Sequence, residues 1–476
     1  MNARKILTVI AIAIFLTLLY SHNLLDVPTG LTVDEAAFGY NAALLSQTGR
    51  DQNGRFLPIF VLSTNGTDWR TPITQYYLAG LFKIFDPSVF LLRFSSVIIA
   101  VLSVFGTYFL ARMLLSPRAA LFAGLFVALT PLVMIQAHMG LDNIMPVPFV
   151  IIWLVGLLNY RGKRGLKWLV VSALALGFSF YSYKGMRAIV PIWVILTTLW
   201  LKRDRLIFLS AIAPFFLVIP LLERYYAGAI LGGSSPGINN IYDFLSPYLS
   251  SFDISYLFIR GDITDFHSTG RHGMLLLASL PSIITGVYAA TKSKNNFFRF
   301  VLLTLFLGPL LYGTVGSTHR FSRLMALIPL FAILTGLGFD YLSHLKFKFS
   351  GPILPAIIIL FLINFIDFYK FYLTQYPSVT FNLFGSLQNF HDIERFAAEA
   401  KSKGLTPFVE EHSSTGGGES IKFFETIYFG RLLPVVSDNQ ATPKGTILLT
   451  NRKEIPNMKE IENIERVQYY IQVGIL

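Results

Sequence analysis

The sequence predicts a polytopic α-helical membrane protein with a small α/β domain at its C-terminal end. Three observations lead there. Of 476 residues, 53% are hydrophobic and 14% charged, with a mean hydropathy of +0.57 and 43 phenylalanines, which is too little charge to cover a water-soluble surface. Apolar runs long enough to cross or nearly cross a bilayer recur about 11 times along the chain. The connections between those runs alternate between basic and non-basic.

The runs fall near 6–21, 89–114, 119–136, 144–160, 167–183, 188–201, 206–222, 274–290, 298–315, 324–340 and 352–369. The first follows a short basic start, Arg4 and Lys5. The segment SHNLLDVPTG after it lacks a small-x-small cleavage pattern, so a retained signal anchor is expected. Basic residues then fill every second connection: Arg112/Arg118, Arg161/Lys163/Arg164/Lys167, Lys202/Arg203/Arg205, Lys292/Lys294/Arg299 and Lys346/Lys348. By the positive-inside rule the N-terminus is cytoplasmic. With an odd number of crossings, the C-terminal domain is extracytoplasmic, on a multi-pass protein of the inner (plasma) membrane.

The net charge of +12 does not indicate nucleic acid, because the basic residues form short clusters between apolar runs instead of one stripe. The chain has no cysteine, which excludes disulfides, thiolate metal sites and cysteine nucleophiles. No internal repeat is evident, against a transporter built from inverted repeats.

Two outer connections, 22–88 and 223–273, are too long to be simple links. The membrane domain therefore runs over 1–370. Over 371–476 charge returns, and strand-like pieces appear at TPFVEE (406–411), LLPVV (432–436), TILLT (446–450) and VQYYIQV (467–473), with helical patterns at 389–403 and 419–429. Gly416-Gly417-Gly418 lacks the Lys-Ser/Thr of a phosphate loop and reads as a flexible loop.

This orientation sorts the ionisable residues. Asp34, Glu35, Asp142, Lys184, Arg187, Arg260, Asp262, Asp265, His267, Arg271, His272, His319, Arg320 and Arg323 all fall on the outer side, while the spans are nearly free of charge. A site at the interface is favoured over a path through the bilayer. Thr32-Val33-Asp34-Glu35 is also a capping box that starts a helix through AAFGYNAALLSQ, expected to lie along the membrane surface. Asp34 is thus either a first-turn acid or a base held at the interface, and Glu35 can serve as cap and support together. Asp142 in QAHMGLDNIMP is either a helix cap or a second carboxylate at the same depth, and His138 beside it is an interface residue.

Cations at span ends commonly snorkel to lipid phosphates, yet short outer loops should hold few of them. YSYKGMR (181–187) and STHRFSR (317–323) break that expectation. Arg320 and Arg323, three apart at a span's start, can converge on one phosphate. Arg187 joins them as an anion ligand, with Lys184, His319 and Arg271 as further candidates. Asn65-Gly66-Thr67 is either a glycosylation sequon or a turn.

The acidic pair in TVDEAAFGYNAALLSQTGRDQNGRFLPIF resembles the first outer loop of the GT-C glycosyltransferases, and more closely the bacterial protein mannosyltransferase and aminoarabinose transferase group. WRTPITQYYLAGLFKIF, RFSSVIIAVLSVFGTYFLAR with Arg93 at the outer edge, QAHMGLDN, GDITDFHSTGRHGM and HRFSRLMALIPLFAILTGLG resemble the same group in order, over about residues 5–340.

The resemblance implies a GT-C-like fold with interfacial helices in the first outer loop. It also implies transfer of a sugar, with inversion, from a polyprenyl-phosphate carrier to a lipid, glycan or protein hydroxyl on the outer face. By matching position, Asp34 resembles the catalytic acidic residue, Glu35 its support and Asp142 the second acidic site, while basic residues at the outer ends of later spans resemble those that grip the carrier phosphate. The chain lacks the WWD tripeptide of oligosaccharyltransferases. Some relatives bind a divalent metal and others do not, so no cofactor is assigned and the metal is left open. A flippase for lipid-linked saccharides is the alternative reading, and a membrane-anchored scaffold is a third.

Overall fold

The computed structural model describes residues 3–64, 66–162, 165–232, 238–314, 318–344, 350–384, 390–436, 445–449, 459–463 and 472–475. Asn65 of the sequon, the basic residues Lys163, Arg164, Lys346 and Lys348, and most of VQYYIQV lie outside them.

From the N-terminus, α1 (Ala3–Ser21) leads into the first long connection. That connection holds α2 (Val33–Thr48), an antiparallel hairpin of β1 (Val61–Ser63) and β2 (Asp68–Arg70), and α3 (Pro72–Ile84). The chain continues through α4 (Val89–Arg112), α5 (Pro117–Ala128), α6 (Pro131–Ala137), α7 (Pro146–Arg161), α8 (Lys167–Ser182), α9 (Met186–Trp200), α10 (Arg205–Leu217) and α11 (Ile219–Tyr225). The second long connection carries α12 (Ile241–Ser250) and α13 (Ile254–Phe258). Then follow α14 (Leu280–Lys292), α15 (Asn296–Leu307), the single turn α16 (Phe321–Leu324), α17 (Ile328–Ser343), α18 (Ser350–Thr374) and α19 (Tyr376–Phe384).

Among the described residues, seven helical stretches are long and apolar enough to cross a membrane, which makes this a multi-pass membrane protein. The run expected at 119–136 breaks into α5 and α6, which meet at 51°, and the pair makes an eighth crossing if it counts as one span. Pro131 opens α6 and cannot donate the backbone hydrogen bond that would continue α5. α8 and α9 are apolar but shorter. The run expected at 274–290 enters as a 3₁₀ turn, Leu277–Ser279, and the α-helix that follows, Leu280–Lys292, has only 13 residues. Each of the runs read from the sequence is thus largely helical, while length and apolarity alone account for seven or eight crossings.

The bundle packs tightly where side chains are smallest. A Cβ on Gly286 of α14 would sit 1.9 Å from the Leu334 carbonyl oxygen of α17, and one on Gly338 would sit 1.7 Å from that of Ser282. Only glycine allows this backbone contact. Trp153 of α7 stacks on Trp193 of α9, whose Nε1 donates to the Thr304 carbonyl of α15 at 2.9 Å.

The alternate connections collect at opposite ends. Arg161 donates to Asn295 at 2.8 Å, Tyr160 to Asp204 at 2.7 Å, and Ser116 to Asp340 at 2.5 Å, so the basic connections touch one another. The intervening connections, 22–88 and 223–273 among them, gather at the other end.

At the C-terminal end, α20 (Phe390–Ser402) and α21 (Glu411–Phe429) accompany five strands: β3 (Thr406–Glu410), β4 (Val435–Val436), β5 (Thr446–Leu449), β6 (Lys459–Asn463) and β7 (Gln472–Ile475). Their order is β4-β3-β5-β7-β6, parallel on either side of β3 and antiparallel from β5 to β7 and β6. The glycine run does not form a loop. It lies within α21, whose two parts join at a kink where Gly418 takes φ +35°. Nor is α2 laid open on a membrane surface: Glu35 to Ala43 are all buried, and the helix is packed between α3 and α21.

Candidate functional site

The site is a cavity of about 520 Å³ at the end where the long connections meet. Each intervening connection contributes to its wall. Asp34 and Phe38 come from α2, Asp68, Trp69 and Arg70 from the hairpin, and Asp142 and Asn143 from the turn before α7. Tyr183 and Lys184 come from the α8–α9 turn, His267 from the second long connection, and Arg320 and Arg323 from the start of α16.

The acidic pair divides its work. Glu35 closes the capping box: its amide donates to Thr32 Oγ1 at 3.0 Å, and its Oε2 accepts from the Thr32 amide at 3.0 Å. Its Oε1 accepts from Arg93 Nε at 3.2 Å and from the Gly140 amide at 2.9 Å. Arg93, also fully buried, donates to the carbonyls of Leu24 at 2.9 Å, Pro28 at 3.0 Å and Gly30. Glu35 therefore ties α2 to α4 and to the turn before Asp142, and it does not line the cavity.

Asp34 caps nothing. Its side chain is 59% exposed, and Oδ1 accepts from Arg70 Nη1 at 2.7 Å. The residue lines the cavity.

Asp142 also proves not to be a helix cap. It opens a 3₁₀ turn without a side-chain cap bond, and α7 begins at Pro146 without one. Its Oδ2 accepts instead from the Thr71 hydroxyl at 2.9 Å, while Thr71 begins α3. His138 lies behind this turn, buried, with Nδ1 at 2.9 Å from the Val27 carbonyl. Burial pushes its imidazole down to about 4, so it stays neutral.

Of the cations read from the sequence, Lys184, Arg320 and Arg323 line the cavity. Lys184 pairs with Asp68, and Arg323 lies over the Tyr312 ring at 6.0 Å. Three others sit elsewhere. Arg187 donates to the Ile230 carbonyl at 3.1 Å, and His319 pairs with Asp253 at 2.9 Å. Arg271 pairs with Asp367 at 3.4 Å beside a separate cavity of about 160 Å³. Each is held by its nearest carbonyl or carboxylate, which sequence spacing does not reveal.

Arg70 was missed. It is 4% exposed and anchored on four sides: Nε to Ser63 Oγ at 2.7 Å, Nη2 to Thr64 Oγ1 at 2.6 Å, Nη1 to Asp34, and its plane over the Phe38 ring at 5.3 Å. The rule that flagged Lys184 and Arg320 concerns short outer loops, and it does not single out Arg70, which shares the long first connection with Arg50 and Arg55. His267 was placed on the outer side but not in the site. Its Nδ1 lies 3.1 Å from Gln136 Nε2, and Gln136 accepts from Asn143 at 2.9 Å. Burial lowers the pKa of His267, which favours a neutral ring.

The donors do not fit a divalent cation. Among the described residues no three His, Asp or Glu groups come together, and Asp34 and Asp68 already face Arg70 and Lys184.

Residues 69–223, about a third of the chain, match the family model described as dolichyl-phosphate-mannose-protein mannosyltransferase. The whole chain superposes on ArnT from Cupriavidus metallidurans bound to undecaprenyl phosphate, with a TM-score of 0.56 and 12% identity, covering 100% of this chain and 98% of that one. The fold is that of the GT-C glycosyltransferases. The apo form of the same ArnT superposes with a TM-score of 0.57 at 13% identity, covering 99% of this chain and 98% of that one. The archaeal oligosaccharyltransferase AglB from Archaeoglobus fulgidus, in complex with an inhibitory peptide and a dolichol-phosphate, gives 0.54 at 11% identity over 92% of this chain and 65% of that one. No curated protein matches the sequence.

Proposed function

We propose that this GT-C protein is a membrane glycosyltransferase that moves a sugar from a polyprenyl-phosphate carrier to an acceptor hydroxyl on the extracytoplasmic face, with inversion. The observation that carries the reading is the division of the cavity wall. An exposed carboxylate, Asp34, is fixed through one oxygen, and it shares the cavity with Lys184, Arg320 and Arg323.

In this scheme Asp34 Oδ2 accepts the proton of the acceptor hydroxyl as that oxygen attacks the anomeric carbon. The bond from the anomeric carbon to the phosphate oxygen breaks, and polyprenyl phosphate departs. The leaving group is already anionic, so it needs cations and not a proton donor. Lys184, Arg320 and Arg323 supply them. Asp142, held by Thr71, orients the acceptor. Arg70 fixes the base.

The match of 69–223 to a mannosyltransferase family and the likeness to an ArnT structure holding undecaprenyl phosphate support a polyprenyl-phosphate donor. The basic connections, which touch one another at the end away from the cavity, support an extracytoplasmic site. A flippase would use the same cations but has no task for an oriented carboxylate. The test is transfer of radiolabelled sugar from undecaprenyl-phosphate sugars by purified protein in bilayers. Transfer that Asp34→Asn abolishes is expected, and carrier movement between leaflets without sugar loss would favour the flippase.

A further inference from the structure

We propose that Glu419, on the C-terminal helix α21, is a positioning residue that holds Arg70 against Asp34 by way of Thr64. The inference rests on Asp34 being the base of the reaction proposed above, and it gives the C-terminal segment a part in that reaction.

The two helices meet at a bare backbone. A Cβ on Gly39 of α2 would lie 2.8 Å from the Phe423 ring, so Phe423 seats directly on the glycine and sets α21 against the helix that carries the acidic pair. This contact brings Glu419, 2% exposed, to the tip of the β1–β2 hairpin, where its Oε1 accepts the Thr64 amide hydrogen at 2.9 Å.

Thr64 is in a conformation that its side chain disfavours. Its φ is +54°, a left-handed geometry that a β-branched residue rarely adopts without being held there. A carboxylate on its amide is such a hold. In this conformation Thr64 Oγ1 accepts from Arg70 Nη2 at 2.6 Å, and Arg70 Nη1 reaches Asp34 at 2.7 Å. Glu419, Thr64, Arg70 and Asp34 thus form one hydrogen-bonded chain from α21 to the cavity.

Stability alone does not account for a carboxylate here. Glu419 Oε2 is buried with no hydrogen-bond partner among the described residues, an expense that an apolar side chain would avoid. The physical return is orientation. Small displacements of a reacting group lower rates steeply, and Arg70 can hold Asp34 only if its own fork is held.

The test uses the full-length protein in bilayers, with the variants Glu419→Leu, Glu419→Gln, Thr64→Ala and Thr64→Ser. Three readouts are taken: hydrogen exchange over residues 61–71, binding of undecaprenyl phosphate, and kcat and KM on the undecaprenyl-phosphate sugar that the wild type turns over. Glu419→Leu is expected to speed exchange over 61–71 and to lower kcat about tenfold or more, with undecaprenyl phosphate binding and donor KM kept. Glu419→Gln retains an oxygen acceptor and should restore both. Thr64→Ala should lower kcat similarly without touching Glu419, Thr64→Ser should not, and the Thr64→Ala/Glu419→Leu double variant should be no slower than the slower single. If Glu419→Leu or Thr64→Ala exchanges and turns over like an active wild type, the brace is refuted. A wild type that turns over no undecaprenyl-phosphate sugar refutes the reading of the site instead, and hydrogen exchange then still decides whether Glu419 holds the hairpin.

Discussion

Asp34 and Arg70 meet at 2.7 Å, an exposed carboxylate against a guanidinium that is 4% exposed, and they come from different elements 36 positions apart. The pair explains how a carboxylate at a cavity mouth keeps one orientation. The buried partner is bonded to Ser63 and Thr64 and stacked on Phe38, so its fork fixes one oxygen of Asp34. A lysine cannot reproduce that planar geometry. Arg70→Lys is therefore expected to lower transfer about 10-fold or more, consistent with the loss of charged hydrogen bonds. Unchanged kcat in that variant would count against the role.

Glu35 should behave differently from its neighbour. It forms a fully buried ion pair with Arg93 and ties three segments together. Removing one partner of such a pair leaves a buried charge alone and costs about 3–5 kcal/mol. Arg93→Met is expected to lower the yield and melting temperature of the whole protein, whereas Asp34→Asn should leave both near wild type. Melting curves of the two variants in detergent separate the roles.

The cations make a spatial prediction. Lys184→Ala, Arg320→Ala and Arg323→Ala remove groups that line the cavity, and each should weaken undecaprenyl phosphate binding about tenfold or more. Arg271→Ala removes a guanidinium paired with Asp367 at another cavity and should leave that affinity unchanged. Titration of undecaprenyl phosphate against the four variants checks both halves.

The contact of α21 with α2 should depend on pH. Burial pushes the Glu425 carboxyl up to about 7, partly offset by its hydrogen bond from the Leu433 amide at 3.1 Å. An unfolded chain loses this proton near the ordinary value of 4.5, and the folded one only near 7. Between those values the folded state binds more protons, so stability falls as pH rises and levels off above about 7. Hydrogen exchange of residues 419–429 is expected to speed up from pH 5 to pH 7.5, beyond the intrinsic rate change, and Glu425→Gln should flatten that extra dependence.

Much of this was legible in the sequence because lipid imposes a strong pattern. Apolar runs and alternating basic connections led to the helices and to the division of their connections between two ends. The same division brought Asp34, Asp142, Lys184, Arg320 and Arg323 to one cavity. Partners at long range were not legible. Nothing local distinguishes Arg70 from Arg50 and Arg55, or shows that Arg187 and His319 are engaged by Ile230 and Asp253. The burial of α2 was hidden for the same reason, since Phe423, which covers Gly39, lies almost 400 residues away.

The most direct measurement is sugar transfer from undecaprenyl-phosphate sugars by the purified protein in bilayers, comparing wild type with Asp34→Asn. Loss of about 10²-fold or more in rate is expected, with undecaprenyl phosphate binding and melting temperature unchanged. A folded Asp34→Asn protein that transfers sugar at the wild-type rate would contradict the account.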